Sequence, residues 1–372
     1  MALSKVNPNL ITQGASGRKN LIINGAMNVA QRGTTGTLNN GGSGFHSADR
    51  FYSAEEGGFT GAFTVSNDTD SPKGFSNSTK WDCTTADTSL AADDVFFVDY
   101  KPEAQDLQHL NYGTSDALQM TVSFWIKSKK TGTYVLWLYQ PDGTRHVQMQ
   151  YTINTADTWE YKTLLVPADT AGVINNDTGA GMVLRFVMGA GSSWTSGTAP
   201  TAWASLVTAD RHVGQTVNLA DSTANYMNIT GIQMEVGSVA TNFEHRSYGE
   251  ELHLCQRYYE IVADNAESSN TDVCYVCGGY SYKSDQINWH YTFAVKKRAA
   301  FTLEATTGTN YYKAALHGET ILDTAVGMTA AYQPLNSVNG YISGSYSGST
   351  NGKAWLFMLN VSGAKIAVSA EL

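Results

Sequence analysis

The side chains able to do chemistry in this chain fall into three groups. His253 and Cys255, followed by Cys274 and Cys277, supply imidazole and thiolate groups of the kind that bind zinc. A strand sends Cys274 and Cys277 to opposite faces, however, and small thiols are common core residues, so no metal is expected. The carboxylate pairs Asp93–Asp94 and Glu250–Glu251 raise glycoside hydrolysis, which needs two carboxyl groups roughly 5 to 9.5 Å apart across the scissile bond. Adjacent strand residues diverge, and two glutamates at the start of a helix are more simply partners of its positive end. There is no nucleophile elbow, phosphate-binding loop or metal-hydrolase helix. No catalytic residue and no cofactor are therefore expected, and the chain reads as a protein without enzymatic activity.

The third group is Trp125, Trp137, Tyr139, His146, Gln148 and Gln150. Sugars stack on aromatic faces, while amides and imidazoles hydrogen-bond hydroxyl groups. If the three strands that carry these residues share one sheet, the six side chains form a glycan platform. The competing reading is a face packed against a neighbouring protomer or a second sheet.

Those strands are legible in the pattern. In "ALQMTVSFWIKS" Leu118, Met120, Val122, Phe124 and Ile126 alternate with polar or amphipathic neighbours, a period of two that places one face in a core. "YVLWLYQ", "PDGT" and "RHVQMQYTI" follow, with Asp142-Gly143 as a hairpin signal. A two-residue loop there sets Tyr139 opposite His146, Trp137 opposite Gln148, Leu138 opposite Val147 and Leu136 opposite Met149. The apolar sides then coincide, so turn chemistry and register agree. "GMVLRFVMG" and "YMNITGIQMEVG" continue the pattern between turn-rich connections, which argues for an antiparallel sandwich. Near Tyr248 the pattern changes: Leu252, Cys255, Tyr258 and Tyr259 fall at helical spacing. A short helix is expected there, followed by a return to strand-like segments such as "INWHYTFAV" and "KAWLFMLNV".

Composition bounds the classes. The chain has 372 residues, enough for two domains, and its charged fraction of 15% lies well below the roughly 25% usual in soluble proteins. It carries 35 Gly, 20 Tyr and 8 Trp, a usage that favours pleated strands over helices. A net charge of -9 without a basic stripe argues against nucleic-acid binding. Four cysteines are too few and too scattered for a disulfide scaffold. The apolar run Leu21–Ile23 in "NLIINGAMNVAQRG" is too short to be an export signal or to cross a bilayer, so neither export by its own signal nor membrane insertion is expected.

The blocks "NLIINGAMNVAQRGTT", "SADRF" and "ITGIQMEVGSVATNFEHRSYGEELHLCQRYYE" resemble recurring segments of phage tail-fibre and related virion appendage proteins. The segment from "TVSFWIKSKKTGTYVLWLY" to "TADTWEYKTLLVPAD" is similar to jelly-roll modules that bind carbohydrate. The resemblance implies a structural appendage, a tail fibre or spike, made in the host cytoplasm and carried on the virion. It also implies a homotrimer, a phage tail or capsid protein as one partner, and host surface polysaccharide as the other. Alternatives of the same origin are a polysaccharide-depolymerase tailspike and a head decoration fibre. Many relatives of the jelly roll hold calcium near the first strand through an acidic residue, a place taken here by Met27 and Asn28.

The expected organisation is all-β. Residues 1–20 form an N-terminal virion-attachment arm that docks through Leu10 and Ile11, and 21–247 form an antiparallel jelly-roll β-sandwich. Residues 248–372 form a second, smaller β domain, the distal tip, with a short helix between the two.

Overall fold

A computed structural model describes residues 18–265, 274–283, 285–308, 311–316, 322–325, 329–343 and 352–372. Leu10 and Ile11 lie outside the described residues. The chain divides into two compact units, Met1–Glu251 with Leu372, and Leu252–Glu371.

The first unit is an antiparallel jelly-roll sandwich. Its strands are β1 (Thr35–Leu38), β2 (Tyr52–Glu56), β3 (Ala62–Asp68), β4 (Ser78–Thr85), β5 (Val95–Tyr100) and β6 (Met120–Ser128). They continue as β7 (Gly132–Gln140), β8 (Arg145–Ile153), β9 (Glu160–Val166), β10 (Val183–Ala190), β11 (Ala204–Ser205) and β12 (Tyr226–Val236). One six-stranded sheet has the order β1-β3-β4-β12-β6-β9, the other β11-β8-β7-β10-β5-β2. The chain changes sheet between β1 and β2, β2 and β3, β4 and β5, β5 and β6, β6 and β7, β8 and β9, β9 and β10, and β11 and β12, which wraps both sheets around one core.

Period-two patterning decides which residues fill it. Met120, Val122, Phe124 and Ile126 on β6 are fully buried, as the alternation requires. Phe124 meets Tyr151 and Phe186 of the opposite sheet edge to face, with ring centres 5.1 and 5.0 Å apart.

The β7–β8 hairpin has the register expected from its sequence: Tyr139 pairs with His146, Trp137 with Gln148, Leu138 with Val147 and Leu136 with Met149. Its turn differs. Pairing ends at Gln140–Arg145, and the left-handed torsion falls on Thr144 (φ 49°), not Gly143. Pro141 has no N–H to complete a further pair with Thr144. Asp142 instead accepts the backbone and side-chain N–H groups of Asn175 at 2.9 and 2.8 Å.

A short helix, α1 (Ser192–Thr195), follows β10, and α2 (Tyr248–Gln256) follows the sandwich where the sequence expects a helix. Ser247 and Glu250 cap α2 reciprocally. The Glu250 carboxylate accepts the Ser247 backbone N–H at 2.9 Å and its hydroxyl at 2.8 Å, while Glu250 N–H reaches Ser247 Oγ at 3.3 Å.

The second unit contains β13 (Tyr259–Asp264), β14 (Cys274–Lys283), β15 (Gln286–Thr292), β16 (Thr302–Ala305) and β17 (Tyr312–Leu316). It ends with β18 (Leu322–Ala325), β19 (Thr329–Tyr332), β20 (Ser337–Ser343), β21 (Ala354–Leu359) and β22 (Lys365–Ser369). A three-stranded sheet, β13-β22-β16, accompanies a seven-stranded one, β18-β17-β21-β14-β15-β20-β19. The core of this unit includes Ile287, Tyr312, Trp355, Phe357 and Ile366.

Candidate functional site

The six residues expected to form one platform do not share a sheet. Trp125 lies on β6 in one sheet, whereas Trp137, Tyr139, His146, Gln148 and Gln150 lie on β7 and β8 in the other. The turn after Ser128 carries the chain across the sandwich instead of folding it back as a hairpin. That outcome depends on where the next apolar face is buried, which the turn residues themselves do not encode.

The β7–β8 group is also not an open face. Residues 191–217 cross it as a strap, and Trp137 and His146 are 2% and 0% exposed. Gly191 N–H bonds Asp94 O at 2.7 Å, Trp194 Nε1–H bonds Asp93 O at 2.9 Å, and Thr216 N–H bonds Thr133 O at 3.0 Å. The buried residues Trp194, Val135, Phe97 and Val187 pack with Trp137 into a second apolar cluster. Gln148 and Gln150 both donate to the Val213 carbonyl of the strap, at 2.8 and 3.0 Å.

Charges are placed inside this layer with partners. Arg185 holds Asp99 through two bonds of 2.8 and 2.9 Å and lies over the rings of Phe97 and Trp137. Arg211 is sandwiched between Trp137 and Trp194, 4.3 and 4.6 Å from their ring centres, and burial lowers its pKa to about 10. His146 Nδ1 accepts the Trp137 indole N–H at 3.0 Å, so its ring is unprotonated at that nitrogen. Burial pushes the pKa of His146 down, and that of His212 well down, the latter also repelled by Arg185 and Arg211. The strap has no hydrophobic period, so the sequence gives little sign of it. Its best clue is two tryptophans, Trp194 and Trp203, within a turn-rich segment.

Trp125 has the opposite fate. It lies on the outward face of its sheet against Tyr161, with ring centres 5.2 Å apart, and Tyr161 is 44% exposed. Together with Phe75, Phe243, Thr241 and Asn242 they line an open groove of about 320 Å³. Gly231 shapes its floor. It sits at a bulge in β12 with φ 62°, and a Cβ there would lie 2.7 Å from Phe75 and 3.1 Å from Trp125. Only glycine leaves room for both rings.

The sequence blocks that resemble virion appendages meet in one buried polar network. Asn20 Oδ1 accepts the N–H groups of Ile22 and Met234 at 3.0 Å, and its amide donates to Ile232 O at 3.1 Å. Asn24 bridges Val29 and Asp49 carbonyls, and Asp49 in turn takes Gln31 N–H at 2.9 Å. Arg246 donates to the carbonyls of Asn20 and Ile22 and pairs with Glu244 and Glu251 at 2.9 and 3.3 Å. Glu251 also accepts Asn24 N–H. "NLIING", "SADRF" and "NFEHRS" are thus the parts of a single clasp that fixes the first described residues to β12.

The remaining chemical candidates are structural. Asp94 caps backbone, accepting Gly58 and Ala91 N–H at 2.7 Å each. Among the described residues no group of three or more His, Cys, Asp or Glu could hold a metal ion. Cys274 and Cys277 do not diverge as a regular strand would require. A bulge between Tyr275 and Cys277 shifts the register, and both thiols pack against the core. Burial raises Cys277 to about 11, so it stays protonated. Among the described residues no helix is long and apolar enough to cross a membrane.

No family model matches the chain, and no curated protein matches it. Several solved structures do. One is the enzymatically active domain of tailspike protein 4 of bacteriophage CBA120, at 12% identity and TM-score 0.30, covering 59% of this chain and 22% of that one. The chain therefore spans about a fifth of the tailspike structure it matches. A second is the family 11 carbohydrate-binding module of a Clostridium thermocellum cellulase, at 14% identity and TM-score 0.26, covering 52% and 91%. A third is the CBM22-1 xylan-binding domain from Paenibacillus barcinonensis, at 8% identity and TM-score 0.27, covering 60% and 100%.

Proposed function

We propose that this chain is a passive, glycan-binding structural appendage of a bacteriophage particle, a tail fibre or spike that adheres to host surface polysaccharide. The observation that carries the reading is the Trp125–Tyr161 groove: a half-buried indole beside an exposed tyrosine ring, edged by amide and hydroxyl groups, on the outward face of a sheet. Aromatic faces of this kind offer apolar area to the flat side of a sugar at small entropic cost. Residues 1–20 attach the chain to a phage tail or capsid protein, and three copies assemble so that weak single-site contacts add through effective concentration. Neither nucleic acid nor membrane insertion has a part. No step of bond cleavage is assigned: of the acidic pairs considered for one, Asp94 and Glu250 cap backbone and Glu251 belongs to the clasp.

The test is retention of the full chain on purified bacterial capsule or lipopolysaccharide immobilised on beads. Replacement of Trp125 by Ala lowers retention while the folded state is kept. Equal retention of the W125A variant would remove this groove from the reading.

A further inference from the structure

We propose that the seven-stranded sheet of the second unit carries a separate binding site for an uncharged oligosaccharide, formed on its outward face by Tyr280, Tyr282, Asn288, His290, Tyr332 and Asn339. The inference deepens the proposed adhesion and rests on it for the ligand class, but the site shares no residue with the Trp125 groove.

Register builds the site. Tyr280 pairs with Asn288, and Asn288 with Tyr341, across β14, β15 and β20. One step along, His290 pairs with Asn339, and Asn339 with Tyr332, across β15, β20 and β19. Cross-strand partners point to the same face, so these two rows stand side by side. The intervening residues, Ile287, Trp289, Val338 and Ile342, are at most 2% exposed and belong to the core. The outward tyrosines are left uncovered: Tyr280, Tyr282 and Tyr332 are 52%, 59% and 74% exposed.

These rows line a cleft of about 520 Å³, within the roughly 300–1,000 Å³ that ligand clefts commonly occupy. Glycine makes its depth. A Cβ on Gly278 would meet nothing within 4 Å, so the space above it is open, while Gly340 makes room on the core face for the Trp289 ring.

The polar groups are preset by hydrogen bonds to one another. Gln286 donates to Asn288 Oδ1 at 2.7 Å, and Asn288 donates to the Tyr280 hydroxyl at 3.3 Å. His290 is held between Asn339 Oδ1 at 2.7 Å and Thr292 Oγ1 at 3.1 Å. Among the described residues no Asp, Glu, Lys or Arg lines the cleft. Amide, phenol and imidazole groups among tyrosine faces fit the hydroxyls of a neutral sugar, and no Lys or Arg among the described residues is there to pair with a sulfate or uronate.

The experiment applies the full chain to a printed panel of neutral and uronate- or sialate-bearing oligosaccharides, at low salt and at high salt. Four variants accompany it: Gly278→Phe, which fills open space and keeps the fold, Tyr280→Ala, Trp125→Ala, and Val207→Ser, an exposed position outside both sites, as control. Thermal unfolding confirms that each is folded. The proposal expects neutral glycans to be retained at both salt concentrations, with G278F and Y280A weakening retention about tenfold or more and V207S leaving that same signal in place. Retention of acidic glycans only, release by salt, or wild-type binding by G278F overturns it. So does a concentration-dependent dimer that G278F abolishes, because the cleft would then be a contact between copies. Loss of neutral-glycan binding in W125A but not in G278F would leave the adhesive function standing and remove this site. Binding unaffected by both would remove both.

Discussion

Two faces of this molecule are built from nearly the same side chains and have opposite fates. On β7 and β8, Trp137, Tyr139, His146 and Gln148 lie beneath the strap 191–217, and Trp137 is 2% exposed. On β14, β15, β19 and β20, Tyr280, His290, Asn288 and Tyr332 stand open, and Tyr332 is 74% exposed. Composition and strand register therefore identify a face rich in aromatic, amide and imidazole groups, but only what crosses that face decides whether it is a site or a second core. In the first unit a tryptophan-bearing segment returns over the sheet. In the second unit nothing among the described residues covers the tyrosines.

The sharpest way to break the contrast is to remove what seals the covered face. Trp194→Ala deletes a large, 9%-exposed ring and its bond to Asp93 O, and should cost about 3–5 kcal/mol of stability, read from the urea unfolding midpoint. A similar loss, about 3–5 kcal/mol, is expected for Arg246→Ala, which leaves Glu244 and Glu251 without their shared cation inside the clasp. If W194A unfolds like the wild type, the strap is an ornament and the covered face is a site after all.

A smaller effect sharpens the contrast through pH. His146 and His212 have pKa values depressed by burial in the folded state. In the unfolded chain they return to about 6.5. The unfolded state then binds more protons below that pH, so their contribution is complete above about pH 6.5 and stability falls as the solution is acidified beneath it. The Trp137 indole bond to His146 Nδ1 is lost with the same protonation. Denaturant midpoints measured across this range should fall toward acid, and His212→Gln should flatten the slope. An unchanged slope would mean that the imidazoles are not held neutral by the strap. The smallest stability effect belongs to the open face: Tyr332→Ala should alter stability by no more than about 0.5 kcal/mol. A large loss there would show that the exposed tyrosines are packed, not presented.

Much of this was legible in the sequence where local chemistry and burial point the same way. The β7–β8 register followed from alternation together with the Asp142-Gly143 turn signal, and α2 followed from helical spacing with Glu250 and Glu251 in its first turn, although the helix ends at Gln256 and of the four spaced residues Tyr258 and Tyr259 lie past it, Tyr259 opening β13. What was not legible depends on contacts distant in the chain. Nothing in "SKKTGT" tells whether β6 and β7 form a hairpin or cross the sandwich, so Trp125 was grouped with side chains it does not accompany. The strap has no period to announce it, and the bulge that brings Cys274 and Cys277 to one core is an insertion that alternation cannot foresee. The tyrosine cleft left a faint trace, Tyr280 and Tyr282 at a spacing of two around buried Ser281, but Gly278 and Gly279 interrupt the pattern at the point where they open the cleft.

The central claim, adhesion without chemistry, is tested most directly by incubating the full chain with bacterial capsule or lipopolysaccharide and measuring bound protein and new reducing ends in the same sample. Retained protein with reducing ends at the level of the protein-free control is the predicted result. A rise in reducing ends that scales with protein concentration and time would contradict it.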